Sequence, residues 1–135
     1  MSRRSLLVWC VCLCFTTNGI SGDDNQENPR QKLETAIPHA IELMEQKKFK
    51  DFMEQFVPPK HIEMMKATGM FATIVEKFGE GDKAQRLLNV LKEIKDTPPN
   101  YNAEKTIATY KLKEAVGNKD KIVFAKLDGY WYIEN

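Results

Sequence analysis

The sequence predicts an α+β domain, in which N-terminal helices pack on a C-terminal antiparallel meander of three strands or slightly more. Apolar residues recur at helical spacing between residues 33 and 95, the pattern of amphipathic helices. Beyond residue 100 the period falls to two, and β-branched and aromatic residues become common, as in strands. The pair Asp128-Gly129 then separates the last two apolar segments as a hairpin turn does. Helices first and strands last indicate helices packed on one sheet.

Residues 1–21 have the layout of a secretory signal peptide. Arg3 and Arg4 precede an apolar run from Leu6 to Phe15, and a small-residue stretch ends at Ser21. The run is shorter than the roughly 20 apolar residues that span a bilayer, so we interpret it as a cleaved signal and not as a stable membrane anchor. The mature chain is expected to be secreted or periplasmic.

The predicted mature chain lacks the residues for most nucleophilic catalysis. All cysteines and serines of the sequence fall within residues 1–21, which excludes Ser-His-Asp and Cys-His acyl transfer. Zinc-protease, phosphate-loop and calcium-loop spacings are absent from the sequence. His39 and His61 each have a glutamate nearby, Glu42 and Glu63, but exposed histidines on helix surfaces are the simpler interpretation. We therefore assign no catalytic residue, no metal site and no cofactor.

The charge balance does not indicate a nucleic-acid partner. Removal of Arg3 and Arg4 with the signal changes the formal net charge from +1 to −1. Arg30 and Arg86 are then the only arginines of the predicted mature chain, whereas recognition of phosphate and guanine favours arginine forks. We expect no binding to nucleic acid.

The mature chain is expected to begin with a polar lead-in, residues 22–32, that lacks structure because it has little to bury. Residues 33–135 then form a single domain.

Pro38 is tolerated in the first turn of a helix but not deeper. This places the start of the first helix near Thr35.

Two sequence signals divide the remaining helical region. Gly69 is predicted to split a long helical segment into two pieces. Asp82 and Gln85 have the spacing of a capping box, which would make Asp82 the N-cap of the last helix. The methionines of the split segment fit core filling better than an adaptable binding surface; they are Met64, Met65 and Met70.

Three strands are predicted, at residues 106–112, 121–127 and 130–133. Residues 114–116 are assigned to a loop that is longer than a tight hairpin. The second hairpin is better defined, because Asp-Gly supplies the two positive φ angles of a type I′ turn. A two-residue loop at Asp128-Gly129 fixes the register, so that Leu127 faces Tyr130 and Lys126 faces Trp131.

This register gives the last two strands two apolar faces. Trp131 shares one face with Phe124 and Ile133, and we assign that face to the helices. Leu127, Tyr130 and Tyr132 lie on the opposite face, which must be covered or must bind something, since a solvated face should be polar. Tyrosine combines an apolar ring with a hydroxyl that can stay hydrated. The candidate ligand or interface residues are Tyr110, Leu127, Tyr130 and Tyr132.

Two segments carry a resemblance to a known family. The phrase KKFKDFMEQFVPP is similar to a helix of the nuclear transport factor 2-like superfamily, a cystatin-like α+β fold, and DGYWYI resembles the hairpin that ends many small secreted bacterial members. The resemblance covers nearly the whole mature chain and implies a cone-shaped fold. Catalytic groups of enzymes in this superfamily have no counterpart that can be matched here, so the resemblance supplies no active-site residue.

We expect an exported, non-catalytic domain that binds a small ligand or a protein, or forms a homodimer, through the tyrosine face of its sheet. One alternative is a cavity enzyme of lyase or isomerase type that uses a carboxylate or a tyrosine. Another alternative is a purely structural protein of the cell envelope. The sequence does not identify the ligand or the partner.

Overall fold

The computed structural model of the chain describes residues 27–134. Within them, five α-helices precede one four-stranded antiparallel sheet, which confirms the predicted α+β class. The helices are a 3-10 helix at Pro29–Gln31, α1 (Leu33–Glu45), α2 (Phe49–Phe56), α3 (Pro59–Ala67), α4 (Phe71–Glu80) and α5 (Asp82–Ile94). The strands are β1 (Asn100–Tyr101), β2 (Ile107–Val116), β3 (Lys119–Leu127) and β4 (Tyr130–Glu134), in that order across the sheet. The predicted signal peptide and the first part of the predicted lead-in, residues 22–26, lie outside the described residues.

Regular structure begins within the predicted lead-in. Pro29–Gln31 form a 3-10 helix, and the side chain of Asn28 accepts a hydrogen bond of 3.0 Å from the Arg30 N–H. The expectation that the chain lacks structure through residue 32 is therefore not met at these residues. A proline at the first position suits such a helix, because its φ is already set and its missing N–H would have no partner there.

The first α-helix starts earlier than predicted. α1 begins at Leu33, and the Lys32 carbonyl accepts a hydrogen bond of 2.8 Å from the Ala36 N–H. Pro38 therefore lies inside the helix instead of in its first turn. Pro38 has no N–H to donate to the carbonyl of Glu34, one turn earlier. Both residues are exposed. Water can satisfy that carbonyl, which lowers the cost of the interior proline.

The helices after α2 confirm one prediction and correct two. Gly69, with a φ of 69°, separates α3 from α4 as predicted. Asp82 is the first residue of α5, and Gly81 is the N-cap without a side-chain hydrogen bond, so the predicted capping box is wrong. Met64 and Met70 are 56% and 54% exposed, so neither fills the core as expected.

The first hairpin of the sheet is tighter than predicted. β2 continues to Val116, which pairs with Lys119 across the two-residue turn Gly117-Asn118. The predicted long loop is therefore wrong, and an irregularity in pairing between Lys111 and Val116 accommodates the extension. β1 is a two-residue strand that was not predicted from the sequence; it pairs with β2 at Thr109 and Ala108.

The second hairpin has the predicted geometry. Asp128 and Gly129 have φ angles of 50° and 85°, as a type I′ turn requires. Leu127 pairs with Tyr130 and Lys126 with Trp131, so the predicted register is confirmed.

One hydrophobic core joins the helices to the inner face of the sheet. Apolar side chains of all five α-helices form a single buried cluster with those of β2, β3 and β4, including Phe124, Trp131 and Ile133. A polar contact adds to this packing, since Glu93 of α5 accepts a hydrogen bond of 2.6 Å at its Oε1 from the backbone N–H of Lys113 in β2. The helices and the sheet between residues 27 and 134 thus share one hydrophobic core.

Candidate functional site

The opposite side of the sheet carries most of the predicted site residues. We call this side the outer face; the strand register places its apolar and aromatic residues together, which are Ile107, Val123, Ala125, Leu127, Tyr130 and Tyr132. Thr109 and Glu134, which both pair with Val123, add polar side chains to the same side. Across its centre, Ile107 pairs with Ala125 and Ala125 pairs with Tyr132. Leu127 is 43% exposed and Ile107 is 38% exposed. The outer face therefore combines a partly solvated apolar surface with two tyrosines.

Arg30 covers the tyrosine end of the outer face. Its guanidinium carbon lies 4.8 Å from the ring centroid of Tyr130 and 5.5 Å from that of Tyr132. Its Nη1 donates a hydrogen bond of 2.7 Å to the carbonyl of Gln55 in α2. Both contacts fix the guanidinium in place, and Tyr132 is only 7% exposed. The chain itself covers one tyrosine fully and the other partly.

Tyr110, the fourth predicted site residue, lies on the inner face. Its ring is 2% exposed and packs edge-on against Phe124, with 5.8 Å between the ring centroids. Burial, the neighbouring Tyr101 and the charge of Glu34 raise the pKa of Tyr110 to about 12. The structure therefore does not bring Tyr110 together with Leu127, Tyr130 and Tyr132.

The phenols on the inner face have limited chemistry at neutral pH. Burial also raises the pKa of Tyr101, with a smaller contribution from Glu34. A phenol with a raised pKa stays protonated and can donate a hydrogen bond, but it is a poor general base. The Tyr101 ring lies 6.2 Å from the indole of Trp131, so this region is an aromatic cluster with neutral hydroxyls.

The two histidines lie in different environments. His39 is half-buried, its Nε2 lies 2.8 Å from Gln55 Oε1, and its ring packs near Phe56. The expectation of an exposed histidine is therefore wrong for His39. His61 is exposed, as expected. Among residues 27–134, no group of three or more His, Cys, Asp or Glu side chains is arranged to hold a metal ion.

A second candidate site, which sequence reasoning missed, is a groove between α5 and the β2–β3 hairpin. It has a volume of about 360 Å³ and contains four basic residues and no acidic residue in its lining: Lys83, Arg86, Lys119 and Lys121. Lys83, Arg86 and Val90 recur at three- and four-residue spacing, which places them on one side of α5. The sequence shows that spacing, but it does not show that the β2–β3 hairpin approaches this side of α5.

Comparison with known proteins does not extend these observations. No protein-family model matches the chain, and neither a curated protein nor a solved structure matches it. None of the helices described between residues 27 and 134 has the length and apolar character needed to span a membrane. The geometry of the outer face and of the groove is thus the basis for a functional assignment.

Proposed function

We propose that the mature protein is an exported, non-catalytic binding domain that pairs with a second copy of itself through the outer face of its sheet. The observation that carries this proposal is the exposure of Leu127 and Ile107 on the side of the sheet opposite the hydrophobic core. Large apolar side chains grouped on one surface are typical of protein interfaces. Sheets commonly pack face to face, and a two-fold axis makes one such surface complementary to itself.

Arg30 supports this proposal because it holds one end of the surface rigid. Its contacts with Tyr130, Tyr132 and the Gln55 carbonyl fix the tyrosine rings before any partner arrives. A surface that is already ordered loses less side-chain entropy on binding. Tyr130 remains half-buried, so part of its ring can still join an interface.

Binding is better supported than catalysis. The raised pKa of Tyr110 favours a neutral phenol over a base. Core side chains also occupy the region between the helices and the inner face, where a lyase or isomerase would need its cavity. The order of elements and the Asp-Gly hairpin agree with membership in the nuclear transport factor 2-like superfamily, which we retain as part of the proposal.

The oligomeric state of residues 22–135 tests the proposal. Sedimentation velocity over a range of concentrations should reveal a reversible dimer, and Leu127→Glu should shift it to monomer, because two-fold pairing would bury two like charges. Tyr132→Ala is unsuitable, since Tyr132 is buried and its loss would also lower stability. Met64→Glu is a matched control, because Met64 is equally apolar and 56% exposed but lies on α3.

The control variant should dimerise like the parent protein. A parent protein that stays monomeric at high micromolar concentration would overturn the proposal. So would a Leu127→Glu variant that is folded and dimerises with unchanged affinity. Ile107→Glu provides an independent second test of the same surface.

A further inference from the structure

The groove between α5 and the β2–β3 hairpin has an apolar floor below a basic rim. The floor contains Val90, Leu112 and Ile122, which are buried, and Phe78, Leu87 and Val116, which are half-buried. Side chains from α4, α5 and both strands of the hairpin thus meet in one concave surface. Its volume of about 360 Å³ lies at the lower end of the range of about 300–1,000 Å³ that is typical of small-molecule sites.

The rim has excess positive charge. Among residues 27–134, no carboxylate lies within 4.0 Å of the ammonium groups of Lys83, Lys119 or Lys121. Arg86 has one loose contact, 3.9 Å from Asp82, whose side chain is 91% exposed. Such an exposed pair contributes little. The cations of the rim therefore remain available to an incoming anion.

We propose that this groove binds a free single-chain anionic amphiphile of the long-chain fatty acid type. The acyl chain would lie on the apolar floor, and the carboxylate would contact Lys83 and Arg86 at the rim. Charge complementarity selects an anionic head group, and the floor selects an apolar tail. Because Val90, Leu112 and Ile122 are recessed, they cannot reach into a bilayer, which favours a monomeric ligand over a membrane surface.

A neighbouring depression sets how long the tail can be. It has a volume of about 620 Å³ and shares Phe78, Lys83 and Arg86 with the groove. Met53 and Ile74 supply further apolar surface there, beside the charged Lys77 and Asp82. A tail that passes Phe78 can therefore continue into this depression. Each added methylene should tighten binding by up to about fourfold until both depressions are filled.

Calorimetric titration of residues 22–135 with sodium dodecanoate, below its micelle concentration, tests the proposal. We expect saturable one-to-one binding and tighter binding of tetradecanoate.

The double variant Lys83→Gln/Arg86→Gln should weaken dodecanoate binding by about tenfold or more, because it removes two positive charges of the rim and leaves the apolar floor unchanged. Lys95→Gln is the matched control; Lys95 is an exposed residue at the end of the same helix and lines neither depression. Neutral dodecanol should bind the double variant and the parent equally.

Several results would overturn the proposal. One is the absence of saturable dodecanoate binding by the folded parent protein. Another is equal weakening by Lys95→Gln and by the double variant. Binding to anionic phospholipid vesicles, or to an acidic amphipathic peptide, without binding to dodecanoate would also reject it. The floor residues Val90, Leu112 and Ile122 belong to the hydrophobic core and not to the outer face, so a negative result here leaves dimerisation through the outer face untouched.

Discussion

The guanidinium of Arg30 lies over the ring of Tyr130, with its central carbon 4.8 Å from the ring centroid. Replacement of Arg30 by alanine should lower the free energy of unfolding by about 2 kcal/mol, because it removes a cation–π contact and a charged hydrogen bond. Urea denaturation at fixed protein concentration measures the change. Arg86→Ala is the control, since Arg86 is exposed and should change stability by less than about 0.5 kcal/mol. Equal effects of the two substitutions would contradict this role of Arg30.

Gly79 provides a test of packing between α2 and α4. A Cβ atom at Gly79 would lie 2.7 Å from Cδ2 of the Phe49 ring, so Gly79→Ala should cost about 1–3 kcal/mol despite the better helix propensity of alanine. In a Phe49→Ala background, the ring that a Cβ atom at residue 79 would contact is absent. There, Gly79→Ala should be stabilising by up to about 1 kcal/mol. A double-mutant cycle measured by thermal denaturation gives the coupling, and additive effects would be inconsistent with the contact.

Tyr110 should make stability depend on pH in the alkaline range. The unfolded phenol ionises near its ordinary value of 10.0, whereas the folded pKa is raised to about 12. Its contribution is fully present below pH 10 and is lost as pH rises towards 12, because only the unfolded chain releases the proton. We expect a loss of ~2 kcal/mol across this window. Between pH 9 and pH 11.5, the free energy of unfolding of the Tyr110→Phe variant should fall less than that of the parent protein. An identical pH dependence in this variant would show that Tyr110 is not responsible.

The turn at Asp128-Gly129 should tolerate only some substitutions. Gly129 has a φ of 85°, and nothing lies within 4 Å of a Cβ atom placed there. The cost of Gly129→Ala is therefore one of backbone conformation, about 1–2 kcal/mol. Asp128→Asn should be nearly neutral, because asparagine adopts positive φ readily. The urea midpoint should fall for the alanine variant with an unchanged slope, and an unchanged midpoint would argue against a strained residue.

The parts of the fold that local chemistry determines were predictable from sequence. The Asp-Gly turn specified the pairing of Leu127 with Tyr130, and Gly69 marked the break between α3 and α4. Both signals act within a few residues, since each requires only one backbone conformation. Alternation then assigned Trp131 to the core face correctly.

The elements that sequence reasoning missed depend on contacts between distant segments. β1 has two residues, and its position is set by pairing with β2 and not by its own composition. Pro38 is acceptable inside α1 because Pro38 and Glu34 both face solvent, which the sequence does not reveal. Arg30 falls within the predicted unstructured lead-in, yet it contacts Tyr132 near the other end of the chain. For the same reason, the basic groove became visible only when α5 and the β2–β3 hairpin were placed together.

The hydrogen bond between Glu93 and the Lys113 N–H also bears on aggregation through the edge of the sheet. Within residues 27–134, β1 covers the outer edge of β2 only at Thr109 and Ala108, so the rest of that edge of β2 is open there, and another chain could add to it and extend the sheet. The Glu93 carboxylate occupies one of the hydrogen-bonding positions that such a chain would need. It also places negative charge where an incoming backbone carbonyl would lie. We therefore expect this side chain of α5 to hinder templated strand addition, and loss of Glu93 should promote fibrous aggregation more than it lowers stability.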